Sequence, residues 1–143
     1  MSIVVKKFGG TSLGSGERLL NVARIVEATR QQHQVICVVS AMSGTVKEQG
    51  TTSQLLKAAE LAGARKSFAT PLRVIAALHH QAILDAELPD SIRGEVTEAI
   101  GDEIKKLRSF LRAITVIREV SPRSTDALMA VGERLSARLL TAV

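Results

Sequence analysis

The chain of 143 residues has no tryptophan and no tyrosine, and three phenylalanines make up its entire aromatic content, 2% of the residues. Aromatic platforms for stacking the bases of single strands or splayed RNA loops are therefore excluded. The formal charge of +5, from 19 Lys and Arg against 14 Asp and Glu, is then poor support for a nucleic-acid partner. A single cysteine, Cys37, excludes an intramolecular disulfide framework and a cysteine-rich zinc site. It lies in the apolar run Val35-Ile36-Cys37-Val38-Val39, where a buried and inert thiol is expected. No run approaches the ~18 to 20 apolar residues of a membrane span. The first residues also lack the long apolar segment of a secretory leader, so a cytoplasmic protein with no membrane partner is expected. His79 and His80 are adjacent, which on a helix sets their rings about 100° apart, so they cannot share a metal as an i, i+4 pair would. With His33 in a polar connector, all three histidines read as structural or surface residues, and no metal ligand is assigned.

What is present is aliphatic. Hydrophobic residues are 45% of the chain, so the core must be built from Val, Ile, Leu and Ala, and the length suits one domain. Ile3 to Phe8 and Val35 to Val39 are short β-branched runs, each followed at once by small polar residues, as buried strands feeding functional loops would be. Between them Ser15 caps a helix with Glu17 in its first turn and Leu19, Val22, Ala23 and Val26 on one face. Strand, helix, strand within 40 residues predicts a right-handed βαβ unit with parallel strands.

Beyond the second strand the periodicity is helical. Thr52 or Ser53 is expected to cap a helix carrying Leu55, Leu56, Ala59 and Ala62, and Thr70-Pro71 to open the next, with Pro71 first in the helix. After Leu88-Pro89-Asp90, the residues Ile92, Val96, Ile100, Ile104, Leu107, Leu111 and Ile114 follow at intervals of three and four, which describes one long amphipathic helix. Its charged residues Glu95, Glu98, Asp102, Glu103, Lys105, Lys106 and Arg108 read as a solvated outer face. Ser121-Pro122-Arg123-Ser124 then introduces a last helix with Leu128, Val131, Leu135 and Leu139 buried. Two parallel strands do not make a stable sheet alone, since sheets have ~4 to 6 strands and parallel ones are covered on both faces. The expectation is that the chain stops partway through a larger α/β domain.

Three segments carry candidate chemistry. Lys7-Phe8-Gly9-Gly10-Thr11-Ser12 follows the first strand, at the edge of a parallel sheet where ligands gather. Two glycines bring bare N–H groups against an anion while hydroxyls and an ammonium add donors and charge, yet the same residues also suit a tight βα turn. A Walker A loop is excluded, because Ser15-Gly16 stands where Lys-Ser or Lys-Thr is required. Ser40-Ala41-Met42-Ser43-Gly44-Thr45 follows the second strand, either as a ligand-orienting loop or as a surface loop whose hydroxyls cap helices. Finally, Gly132-Glu133 interrupts the last helix with a glycine costing about 1 kcal/mol relative to Ala, which invites a packing or functional reason. Glu133 lies off the apolar stripe, and from the residues alone it reads first as a solvated side chain in contact with Arg138.

Taken in order, VVKKFGGTSLGS, VVSAMSG, GTTSQLLKAAELA and SPRSTDALMAVGERLSARLL resemble the aspartate kinase family of the amino acid kinase superfamily over essentially the whole chain. The resemblance implies a three-layer αβα amino acid kinase fold, carbamate kinase-like, of which only the N-terminal portion is present. It implies ATP-dependent phosphorylation of the side-chain carboxylate of L-aspartate to 4-phospho-L-aspartate, the first step towards lysine, threonine and methionine. Lys7 matches the lysine that neutralises the transferring phosphoryl group, and Gly9, Gly10 and Ser12 match the phosphate cradle. Ser40 matches a substrate-loop serine, and Glu133 the glutamate that holds the substrate's amino group. ATP is implied as co-substrate, with Mg2+ carried by the nucleotide and no protein ligand assigned to it. The complete enzyme is expected to be a homo-oligomer.

The chain departs from the family pattern in two places. Val46 to Gly50 separates Thr45 from Thr51-Thr52, so the substrate threonine is placed at Thr52, where the run into Leu55-Leu56 is reproduced, with Thr45 as second choice. The family's second half, with the adenosine pocket, the Arg and Asp of the transfer site and the ACT regulatory domains, has no counterpart in residues 1–143. The chain is therefore expected to be inactive alone. The competing expectation is a non-catalytic module that associates with another kinase chain.

Overall fold

The computed structural model describes residues 2–44 and 46–143. Strand β1 (Ile3–Phe8) leads through a 3-10 turn (Gly10–Leu13) into helix α1 (Gly16–Arg30), which returns the chain to β2 (Gln34–Val39). The strands are parallel and in register from Ile3 opposite Gln34 to Phe8 opposite Val39, as the βαβ pattern requires. Ser15 caps α1 by accepting a hydrogen bond from the Arg18 N–H at 3.3 Å.

A second 3-10 turn (Lys47–Gln49) precedes α2 (Thr51–Gly63), and α3 (Ala69–Asp85), α4 (Asp90–Ile117) and α5 (Pro122–Ala142) follow. The breaks at Leu88-Pro89 and Ser121-Pro122 fall where the sequence puts them. Ser121 caps α5 by accepting from the Ser124 N–H, with Pro122 first in the helix. Two other helix starts differ from expectation. The Lys47–Gln49 turn ends at an extended Gly50, so α2 begins at Thr51. Its early side chains then reach backwards: Ser53 Oγ donates to the Lys47 carbonyl and Gln54 Nε2 to that of Glu48. Helix α3 begins at Ala69, placing Pro71 third. Proline is tolerated there because N–H groups of the first turn have no intrahelical acceptor.

The core lies among the helices and not on the sheet. Leu55, Ile75, Ile83, Leu107, Leu111, Leu128, Leu135 and Leu139 are fully buried where α2, α3, α4 and α5 meet, whereas neither strand contributes a buried residue. Helices α1 and α5 lie against β2. By alternation they cover the face carrying Val4, Phe8, Val35 and Val39. The opposite face is open, with Ile3 and Val5 each 62% exposed and Ile36 52%. Cys37 corrects the expectation of a buried thiol. It is exposed, because α1 and α5 leave a gap of about 660 Å³ in front of it, lined also by Leu20, Val26, Val39, Leu140 and Val143.

Glu103 is the reverse correction. The expected solvated carboxylate of α4 is 4% exposed. It accepts from Arg134 Nε at 3.3 Å, Arg138 Nη2 at 3.1 Å and Lys106 Nζ at 3.4 Å. Two arginines from α5 supply what the spacing within α4 does not reveal.

Candidate active site

Both βα loops open at the carboxyl edge of the sheet, and the backbone ties them together. The Ser40 N–H donates to the Phe8 carbonyl and the Ser43 N–H to that of Gly10, each at 3.1 Å. Gly10 is demanded by this approach, since a Cβ there would run into the Ala41 carbonyl oxygen and Ser43 Oγ. Among the described residues nothing lies within 4 Å of a notional Cβ on Gly9, which leaves the outer side of the turn open to them. Ser12 is exposed beside it, in a groove shared with Phe8, Thr11, Arg18 and Asn21. Lys7 is exposed at the end of β1 and, by alternation, on the open face of the sheet.

The second loop connects to the helices. The Thr51 N–H donates to the Met42 carbonyl at 3.0 Å, seating the start of α2 against the loop. Gly132 brings α5 to the same place: a Cβ on it would lie 2.7 Å from Ala41 Cβ and 3.2 Å from Thr51 Cγ2. The mid-helix glycine thus has a packing reason, and the next residue, Glu133, is exposed beside that contact. Glu133 makes no ion pair among the described residues. Arg138, its expected partner, is held by Glu103 instead.

The structure therefore brings four segments to one edge: the Lys7–Ser12 loop, the loop from Ser40, the N-terminus of α2 and the middle of α5. Ser40 is half-buried and Thr52 exposed, while Thr45 lies outside the described residues. Thr51 is fully buried, and its hydroxyl has no partner among the described residues. One further residue belongs here that its position in the sequence does not by itself single out. Arg18 Nη1 donates to the Thr11 carbonyl at 2.7 Å and pins the first loop from the side of α1. Its signal in the sequence is an arginine in the first helical turn after a glycine-rich loop.

An ammonium, a glycine turn with open backbone and a hydroxyl form a donor set suited to phosphate oxygens. The exposed carboxylate of Glu133 suits a cation such as an amino group. Among the described residues no group of three or more His, Cys, Asp or Glu side chains is placed to hold a metal ion. Among the described residues no helix is long and apolar enough to cross a membrane. His79 stands apart from the site, buried in α3 with Nδ1 at 2.7 Å from the Ile75 carbonyl.

Known proteins resemble this chain in sequence and in fold. The chain is 40% identical to the aspartokinase of Candida albicans over 98% of its own length and 25% of the relative's. It superposes on Escherichia coli aspartokinase III in complex with lysine and aspartate with a TM-score of 0.77 and 25% identity, covering 98% of this chain and 28% of that one. The same enzyme in complex with aspartate and ADP gives a TM-score of 0.73 and 26% identity over the same shares. The chain thus spans about a quarter of the length of the relatives it matches. The model of the Amino acid kinase family matches residues 2–143, and with the parallel βαβ unit and its two joined edge loops it establishes that the chain belongs to that family.

Proposed function

We propose that the chain is the N-terminal portion of an aspartokinase catalytic domain that transfers the γ-phosphoryl group of ATP to the side-chain carboxylate of L-aspartate, yielding 4-phospho-L-aspartate and ADP, the first step of lysine, threonine and methionine biosynthesis. The observation that carries this reading is the meeting of the glycine loop, the serine loop and the Gly132-Glu133 turn of α5 at one edge of the sheet. The crystal structures of the Escherichia coli enzyme, in complex with aspartate and with ADP, support it.

The attacking carboxylate and the triphosphate repel each other, so catalysis consists of positioning and charge stabilisation. A carboxylate oxygen of aspartate bonds to the γ-phosphorus as the bond to the bridging oxygen of ADP breaks. Lys7 neutralises charge on the transferring group, while the Gly9 and Gly10 backbone and Ser12 cradle the phosphates. Each well-aimed donor contributes roughly 3 to 4 kcal/mol. Ser40 and Thr52 orient the aspartate, and Glu133 pairs with its amino group. Mg2+ enters with the nucleotide. The complete enzyme works in the cytoplasm as a homo-oligomer, with the adenosine pocket supplied outside residues 1–143.

In the complete catalytic chain, Lys7→Ala lowers kcat about 100- to 1,000-fold, and Glu133→Gln raises KM for aspartate far more than KM for ATP. Near-normal kcat in the first variant overturns the role of Lys7, and equal shifts of both KM values in the second overturn that of Glu133. A second reading, a non-catalytic module that associates with another kinase chain, has the open apolar face of the sheet in its favour. It requires that the 143-residue chain be itself the gene product, with no in-frame coding sequence continuing beyond Val143, and that it bind another kinase chain without releasing ADP in the presence of aspartate.

A further inference from the structure

We propose that Glu103 is a positioning residue for Glu133, setting the rotation and axial register of α5 so that Glu133 faces the two edge loops; this rests on the reading of Glu133 as the ligand of the substrate amino group. Three consecutive residues of α5 have three different attachments. Gly132 touches Ala41 and Thr51 with no room for a methyl group. Glu133 is exposed and without an ion pair among the described residues. Arg134 reaches across to the carboxylate of Glu103 at 3.3 Å, and Arg138, one turn on, binds the other oxygen of the same carboxylate at 3.1 Å.

At about 100° per residue, Gly132 and Arg134 leave the helix on nearly opposite flanks, with Glu133 between them. Helix α5 is therefore held from the loop side by close packing and from the α4 side by charged hydrogen bonds. The apolar stripe of α5 turns Leu128, Val131, Leu135 and Leu139 to the core and so sets its rotation coarsely, but hydrophobic attraction is non-directional and resists small rotations and axial slips only weakly. A carboxylate receiving two guanidinium donors is directional. Glu103 is the buried member, with a side chain 5% exposed, while Arg134 and Arg138 are 52% and 45% exposed. Without Glu103 the two arginines return to water and leave no buried unpaired charge. The ion pair then acts less on stability than on the placement of α5, a role best kept apart from stability by experiment.

The test uses Glu103→Gln and Glu103→Met in the complete catalytic chain, with Glu133→Gln measured alongside. The expected result is a five- to tenfold rise in KM for aspartate in both Glu103 variants, with KM for ATP and kcat within twofold of the parent. The methionine variant also keeps the parent's thermal midpoint to within a few degrees. An unchanged aspartate KM in the Glu103 variants beside a raised one in Glu133→Gln overturns the positioning role and leaves the reading of Glu133 standing. No effect in Glu133→Gln overturns both. Parallel rises in the two KM values with a falling thermal midpoint make Glu103 a structural residue only and overturn the proposal.

Discussion

His79 is fully buried in α3, with one ring nitrogen bonded to the Ile75 carbonyl and the other without a partner among the described residues. Burial pushes its pKa below the ordinary 6.5, and the Ile75 hydrogen bond opposes this only in part. Below that ordinary value the unfolded chain takes up a proton that the folded chain refuses, so stability falls as the pH drops. Urea midpoints should therefore decline between pH 7.5 and pH 5.5, and His79→Leu should flatten the decline; an equal slope in both proteins would assign it elsewhere. Glu103 acts in a lower window. Burial raises its pKa, but the hydrogen bonds of Arg134 and Arg138 outweigh this and hold it below the ordinary 4.5. Its contribution is present above that value and is lost as the pH falls through the lowered pKa. Neither residue's environment is legible from its own helix. Periodicity locates the apolar stripe, but a histidine inside it or a carboxylate at its margin takes its surroundings from other helices.

Helices α1, α4 and α5 follow their sequence patterns closely because in each the apolar spacing agrees with a start signal: the Ser15 cap of α1, Pro89 ahead of α4, and the Ser121 cap with Pro122 in α5. The starts of α2 and α3 were less legible, since hydroxyls near a helix start serve equally to cap it or to bond backwards onto the preceding turn. The glycines of the helices give a test at this scale. Among the described residues Gly94 and Gly101 of α4 have nothing within 4 Å of a notional Cβ, whereas Gly132 of α5 is crowded by Ala41, Thr51 and Leu55. Alanine at either α4 position should stabilise by up to about 1 kcal/mol through helix propensity. At Gly132 the same gain is outweighed by overpacking of about 1 to 3 kcal/mol. Thermal midpoints should thus move in opposite directions, and a stabilising Gly132→Ala would show that α5 does not depend on that close seat.

For the whole molecule, the parallel βαβ start and the helical remainder were legible, but the distribution of the core was not. Runs such as Ile3 to Phe8 read as strands buried on both faces, because β-branched composition reports what a strand is suited to cover and not what covers it. One face is open here, and Cys37 on the other looks into a gap. Val5 and Ile36, opposite each other in register, are central to the open face. Replacing both with threonine keeps β-branching and removes apolar surface. The 143-residue chain should then show weaker concentration-dependent light scattering with little change in thermal midpoint; unchanged scattering would place its self-association on another surface. The two edge loops were recognisable from their glycines and hydroxyls. Their joining through Gly10 and Ser43, and the seat of Gly132 on Ala41, depend on contacts between distant parts of the chain.

The seat of Gly132 on Ala41 spans about ninety residues of sequence, and closing so long a loop costs chain entropy before any contact repays it. The individual helices are local, and pairing β1 with β2 closes a loop of only about thirty residues, a smaller entropic cost. On loop-closure entropy alone, the glycine and serine loops meet at lower cost than the carboxylate of Glu133 joins them. During synthesis from the N-terminus, the edge of the sheet waits for α5 to be completed.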